Sequence, residues 1–508
     1  MDVRNVGTEQ TQVNSQTIAS KAARGSLYSI IASAVTLVSG FLRAILLARL
    51  LAPEHFGVMT LALFYVALAN QLFSFGLDHA IIHRQDADET VRSTYFTLRM
   101  AAVVAIAGLI LLAAPILGRV YPAMPLLGWI LAALAVIGIV QGFSYVQEAL
   151  LRKDLSFQQL AILDVTSSLV MTITAPLLAW AGWGVWALVA EQASGILTRA
   201  LVTWLVFRHW APRLGWDRKI ARWFWDYGKP MWGGSGLYFL TDRFDDFWIG
   251  TTLGKTLLGY YSRAYEFAHY PRRVIATPLL GVFNPVFAQL QGDRLRLSQA
   301  FYRATYIILR VSFLASGAFA LVMPEFIHLV IGDNWTPMLL AFRLMLIYTL
   351  LDVIIVFGEG LLWAVGRPQQ FQRITLAQAV FFIPAVILGA RLWQINGVAL
   401  AADAMLAIGC IILCRYLRQV VDFSLLRLTF WPVLALTAAS VGGWILESSQ
   451  CLSNPWQMAA GKLVLFCVLY AALLGISESK ETLQGLRWVW QHLRAGRSDV
   501  AAPETLGD

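Results

Sequence analysis

The sequence predicts an all-α integral membrane protein of fourteen transmembrane helices. They form two six-helix lobes related by a pseudo-two-fold axis along the membrane normal, with two further helices on the C-terminal side. Three observations predict this. The 508 residues are 58% hydrophobic and 14% charged, with a mean hydropathy of +0.64, and the apolar residues gather in runs near the length of about 20 that crosses a bilayer. Counted from a cytoplasmic N-terminus, Lys and Arg crowd the inside segments, while the outside turns hold only Arg49, Arg119, Lys255 and Arg391. Finally, residues 50–57 align with 252–259, an offset of 202 residues that brings Leu51 onto Leu253, Gly57 onto Gly259 and Ala62 onto Ala264. Both copies make a tight outside turn between the first two spans of a six-span unit. Six is even, so both units enter from one side.

The elements follow in order. Residues 1–25 are polar and form a cytoplasmic tail; the first apolar run is too long for a signal-peptide core and reads as an uncleaved span. The N-lobe, 26–210, holds spans near 26–49, 56–76, 95–118, 125–148, 160–181 and 184–207. Residues 211–228 mix Arg218, Lys219 and Arg222 with Trp223, Phe224 and Trp225, the composition of an interfacial linker helix. The C-lobe, 229–420, holds spans near 229–252, 259–290, 299–323, 336–365, 372–390 and 396–416. The appended pair occupies 421–478, and 479–508 is a cytoplasmic amphipathic helix and tail. The net charge of +9 follows from this inside-positive pattern and calls for no nucleic acid. Cys410, Cys414, Cys451 and Cys467 show no metal-ligand spacing.

The spans carry charges that lipid does not tolerate. Asp242, Arg243, Asp245 and Asp246 lie in the seventh, and Arg263, Glu266, His269, Arg272 and Arg273 in the eighth, where Pro271, Pro278 and Pro285 recur every seven residues. One charge at mid-membrane costs roughly 2.5–3.5 kcal/mol on insertion scales, so such groups face a wet or protein-filled interior. Asp242, Asp245 and Asp246 share one side of a helix, with Arg243 within pairing reach of Asp246. Two readings stay open for this set, a transport cavity and an internal salt-bridge cluster. In the first span Ser26, Ser29, Ser33, Thr36, Gly40 and Arg43 form a stripe, read either as close packing or as a cavity wall. Asp352 and Glu359 share a face of the tenth span and are candidates for H⁺ or Na⁺ coupling, or for structural pairing. Asp164, Glu191, Arg199 and Asp403 stand as lone intramembrane charges.

The residues 48–57, followed by Phe75-Gly76-Leu77, and the stretch from Ile249-Gly250 through Leu257-Leu258-Gly259-Tyr260-Tyr261-Ser262-Arg263-Ala264-Tyr265 resemble Wzx-type polysaccharide flippases of the multidrug/oligosaccharidyl-lipid/polysaccharide exporter superfamily, nearest the colanic-acid-exporter-like branch. The resemblance implies an inner-membrane carrier, N-in and C-in. It would move undecaprenyl-pyrophosphate-linked oligosaccharide to the periplasmic leaflet by alternating access, for exopolysaccharide or lipopolysaccharide biosynthesis. A polysaccharide polymerase and a chain-length regulator are the implied protein partners, and no cofactor is expected. The anionic pyrophosphate suits arginine, which binds it through paired N–H donors. Arg272 and Arg273 are the first candidates for that role, then Arg43 and Arg263, with the lipid tail left in the bilayer. Rival readings are a lipid-linked peptidoglycan precursor flippase, a multidrug or cation antiporter, and a polysaccharide polymerase or ligase. The last needs catalytic groups on sizeable outside loops, and the sequence offers none; no catalytic residue is expected.

Overall fold

A computed structural model describes residues 28–73, 76–84, 86, 88–208, 210–449, 452 and 454–478. The expectations for residues 1–25, Ser26, Phe75, Cys451 and the tail 479–508 lie outside them. The described chain is all-α: α1 Tyr28–Leu50, α2 Pro53–Phe73, α3 Leu77–His83, α4 Glu89–Val120, α5 Leu127–Lys153, α6 Phe157–Trp180, α7 Val185–Leu205, α8 Arg218–Thr252, α9 Lys255–Ala268, α10 Tyr270–Gln289, α11 Arg294–Phe326, α12 Leu339–Ala364, α13 Pro368–Leu417, α14 Leu425–Ser448 and α15 Pro455–Ser477. Among the described residues ten helices are long and apolar enough to cross a membrane, which makes this a multi-pass membrane protein.

Local chemistry sets the helix ends. The side chains of Asp88, Asp217, Asp293 and Ser424 accept hydrogen bonds from backbone N–H groups of the first turns of α4, α8, α11 and α14, the role of an N-cap. Pro53 and Pro455 open α2 and α15, where a missing N–H costs nothing. The expected eighth span breaks at His269, between α9 and α10, beside Pro271. Two departures stand out. The expected linker helix is no separate element, since α8 runs unbroken from Arg218 to Thr252. Its early Phe224 is fully buried and packs on Tyr95 of α4. In α13 the backbone leaves helical geometry at Trp393 and Gln394, and Gly389 and Gly397 bring the two halves into backbone contact.

By contact the chain forms two units. One comprises the residues up to Glu266 with Val330–Ala341 and Thr375–Ala401, and the other Phe267–Leu329, Phe342–Ile374 and the residues from Ala402 on. In the first, α6 packs on α7, α4 on α5, and α2 on α4, α5, α7 and α8. Its tightest crossing joins the two copies of the repeat. A Cβ on Gly57 would lie 1.8 Å from the Lys255 carbonyl oxygen, and one on Gly259 would lie 1.9 Å from that of Pro53. These two contacts exchange when 53 is swapped with 255 and 57 with 259, as a two-fold axis between α2 and α9 requires. Glu54 and Lys255 pair across the crossing at 2.8 Å. Buried Trp335 seats beside it, donating from Nε1 to the Ala48 carbonyl at 2.7 Å with its ring edge-on to Phe56.

In the second unit α11 packs against α10, α14 and α15. Fully buried Lys462 of α15 pairs with Glu325 of α11 and, at 2.8 Å, with Glu447 of α14. Arg310 of α11 pairs with Glu478 just past α15, which also accepts from Tyr306 at 2.8 Å; Tyr470 donates to the Arg310 carbonyl at 2.9 Å. Two buried charge clusters therefore tie α15 to α11.

Added methyl groups test the crossing. Gly57→Ala and Gly259→Ala should each cost about 1–3 kcal/mol by overpacking, read as a lower melting temperature and less protein in the membrane. Gly40→Ala and Gly138→Ala, whose new Cβ atoms meet nothing within 4 Å, should leave both readouts level or improved.

Candidate functional site

Within the first unit, α1, α2, α7 and α9 enclose a cavity of about 180 Å³ whose wall carries Arg43, Glu191, Gln192, Arg263, Glu266 and Phe56. Of the stripe on α1, Gly40 and Arg43 line the cavity. Beside them Ser39, which is not part of the stripe, meets Ser168 of α6 at 2.6 Å. Arg43 reaches Glu191 of α7 through Nε at 2.8 Å, and its Nη1 donates to the Thr172 hydroxyl at 3.1 Å and the Ser168 carbonyl at 3.4 Å. Both side chains of the pair are 15% exposed. Arg263 pairs with Glu266 one turn along α9, and its guanidinium lies over the Phe56 ring, 4.4 Å from the centroid. Arg263 Nε is buried and makes no hydrogen bond among the described residues. The cavity is thus lined by two arginines, each held by one carboxylate.

The acids of α8 lie apart from this wall. Arg243 bridges Asp242 at 3.0 Å and Asp246 at 3.6 Å, the spacing that the sequence anticipates. Buried Asp245 accepts the Tyr261 hydroxyl at 2.5 Å and the Asp246 backbone N–H at 3.0 Å. In the second unit Arg272 of α10 pairs with buried Asp352 of α12 at 2.5 Å. Arg273 is exposed, its guanidinium 5.7 Å from the Tyr270 ring. Buried His269 faces the Tyr348 ring at 5.4 Å, and Glu359 accepts from Trp363 Nε1 at 3.3 Å. Arg43, Arg263 and Glu266 therefore share one cavity, and Arg272 and Arg273 are not among its lining residues. Sequence reasoning left Glu191 as a lone intramembrane charge and passed over Gln192. The signal for them was a cluster of polar residues, Glu191, Gln192 and Arg199, in an otherwise apolar helix, and α7 is one of the helices that do not reach the apolarity of a span.

A model of the family described as polysaccharide biosynthesis protein matches residues 46–340, the region that supplies α2, α7, α9, Glu191 and the Arg263–Glu266 pair. The chain belongs to this family. Its Wzx-like members are flippases of the multidrug/oligosaccharidyl-lipid/polysaccharide superfamily. Over 385 residues it is 24% identical to the lipopolysaccharide biosynthesis protein WzxC of Escherichia coli, covering 75% of this chain and 77% of that one. It is 28% identical over 325 residues to the succinoglycan biosynthesis transport protein ExoT of Rhizobium meliloti, covering 64% of each. Among solved structures, the lipid II flippase MurJ in an inward closed conformation superimposes with a TM-score of 0.69 over 91% of this chain and 100% of its own, at 12% identity. That likeness is one of fold.

The ion pairs of this flippase-family chain differ in what breaking them should do. Asp352→Ala leaves Arg272 without its carboxylate inside α10–α12, so thermal stability should fall by about 3–5 kcal/mol. Pairing it with Arg272→Met should recover most of the loss in a melting assay, because no charge is then stranded.

Proposed function

We propose that this chain moves an undecaprenyl-pyrophosphate-linked oligosaccharide from the cytoplasmic to the periplasmic leaflet of the bacterial inner membrane. The observation that carries the reading is the cavity in which Arg43 and Arg263 are each balanced by one carboxylate. A guanidinium has five N–H donors, and the Glu191, Thr172 and Ser168 contacts engage Arg43 through Nε and Nη1 only. Once Glu191 lets go of Nε, the Nε–Nη2 edge of Arg43 is a fork on which two pyrophosphate oxygens can accept. While the cavity is empty, Glu191 and Glu266 neutralise arginines that would otherwise be unpaired in a low-dielectric interior. Cargo takes over that role when it enters, and the carboxylates resume it when cargo leaves. Binding is therefore an exchange of partners, which keeps release possible.

The wider architecture in this reading has fourteen crossings, N-in and C-in. The ten apolar helices supply most of them. The reversal inside α13 adds one, and α7, α8 and the broken pair α9–α10, less apolar because they carry polar residues, add the rest. Residues 26–210 and 229–420 act as the two lobes, supported by the reciprocal contact of Gly57 and Gly259, with 421–478 appended. Alternate opening of the lobes carries the head group across, and a polymerase and chain-length regulator receive the product.

Lysine variants test the role of the arginines. Arg43→Lys and Arg263→Lys keep the charge and the pairing but lose the planar fork, so membrane abundance should stay normal while polymer export falls at least about tenfold in a complementation assay. Normal export at normal abundance would remove the pyrophosphate role from these residues. Reporter fusions at Lys255 and Arg391 should read periplasmic and those at Lys153 and Arg367 cytoplasmic; the opposite pattern would invert the proposed direction.

A further inference from the structure

A second cavity, of about 170 Å³, lies in the same unit between α2, α4, α5 and α7. Leu63 of α2 and Gln192 of α7 line it and also line the arginine cavity, so the two chambers share a wall. Their chemistry differs sharply. Beyond the shared wall the lining is mostly aliphatic, with Val103, Ile106, Ala107, Ile110 and Leu134 among it. The few polar groups, Asn70, Gln141 and Tyr145, leave this chamber with no charged side chain. One chamber is built for an anion and its neighbour for hydrocarbon. We infer that the second chamber receives the isoprene unit next to the pyrophosphate, so that the first part of the lipid tail is held inside the protein while the remainder stays in the bilayer.

Size supports this occupant. An apolar protein cavity of about 150 Å³ stays dry and takes up benzene. A chamber of about 170 Å³ therefore has room for one five-carbon isoprene unit, and not for a long polyprenyl chain. Adjacency supports it too, because an isoprene attached directly to the pyrophosphate has to lie next to the arginines. A sugar residue fits the lining poorly, since its hydroxyls would find few partners among aliphatic side chains. The inference rests on the pyrophosphate reading of the arginine cavity.

Gly138 gives a clean test. It lines the second chamber, and a Cβ built there meets nothing within 4 Å, so a larger side chain enters the open space rather than the packed core. The probes are methyl diphosphate and dimethylallyl diphosphate, which share a head group and differ by the isoprene, measured by calorimetry on the whole protein in nanodiscs. Wild type should bind the dimethylallyl compound at least about tenfold more tightly, the affinity expected for burying roughly two methylenes. Gly138→Phe should abolish that preference and leave methyl diphosphate binding unchanged, with Gly138→Ala, which leaves most of the chamber open, keeping it. A preference that survives Gly138→Phe at full strength, or no preference in wild type, would overturn the inference and leave the pyrophosphate reading standing. Failure of methyl diphosphate itself to bind would overturn both. A melting temperature for Gly138→Phe equal to wild type ties the loss to the filled chamber rather than to unfolding.

Discussion

The closeness of α2 and α9 is the constraint from which the site follows. At Gly57 and Gly259 the backbones meet with no room for a methyl group, so the two helices have one rotation and one depth relative to each other. Residues four and seven positions beyond Gly259 share its helical face, and these are Arg263 and Glu266. The same contact sets Phe56, next to Gly57, under the Arg263 guanidinium. Small residues at membrane helix contacts permit such approach, and van der Waals packing rewards it where lipid offers no hydrophobic drive. The reciprocal form of the contact, each glycine against the opening of the other's helix, also makes it a natural seat for the two-fold axis.

Charge placement follows a second rule. Several of the intramembrane charges have a partner of opposite sign, and these pairs fall into two kinds. Lys462 with Glu325, and Arg310 with Glu478, are enclosed in helix packing and tie α15 to α11. Arg43–Glu191 and Arg263–Glu266 instead line an open cavity. A pair that faces space can trade one partner for a ligand, whereas an enclosed pair has nothing to trade with. Geometry therefore separates adhesion from recognition where charge alone does not.

The two chambers extend that logic to an amphipathic ligand. Their shared wall of Leu63 and Gln192 stands where a lipid pyrophosphate changes from anion to hydrocarbon. The burial of an isoprene would add affinity without another charge, and so without another desolvation cost.

Much of this was legible in the chain itself. Composition and run length specify the membrane class; N-cap residues and prolines set helix ends; and local pairs such as Arg243 with Asp246 and Arg263 with Glu266 follow from the turn of one helix. The repeat at Gly57 and Gly259 was also visible, because it lies in residue identity at a constant offset. What tertiary structure alone decided is which distant charges meet. Glu191 stood as a lone acid until α7 came against α1 and gave it Arg43; Arg272 was open between cargo and an ion pair, and α12 brought it Asp352; and Lys462 attracted no notice. The reason is physical. A period along one helix tells which residues share its face, but partners on different helices depend on how those helices rotate, tilt and slide against one another, and that is settled by packing throughout the unit.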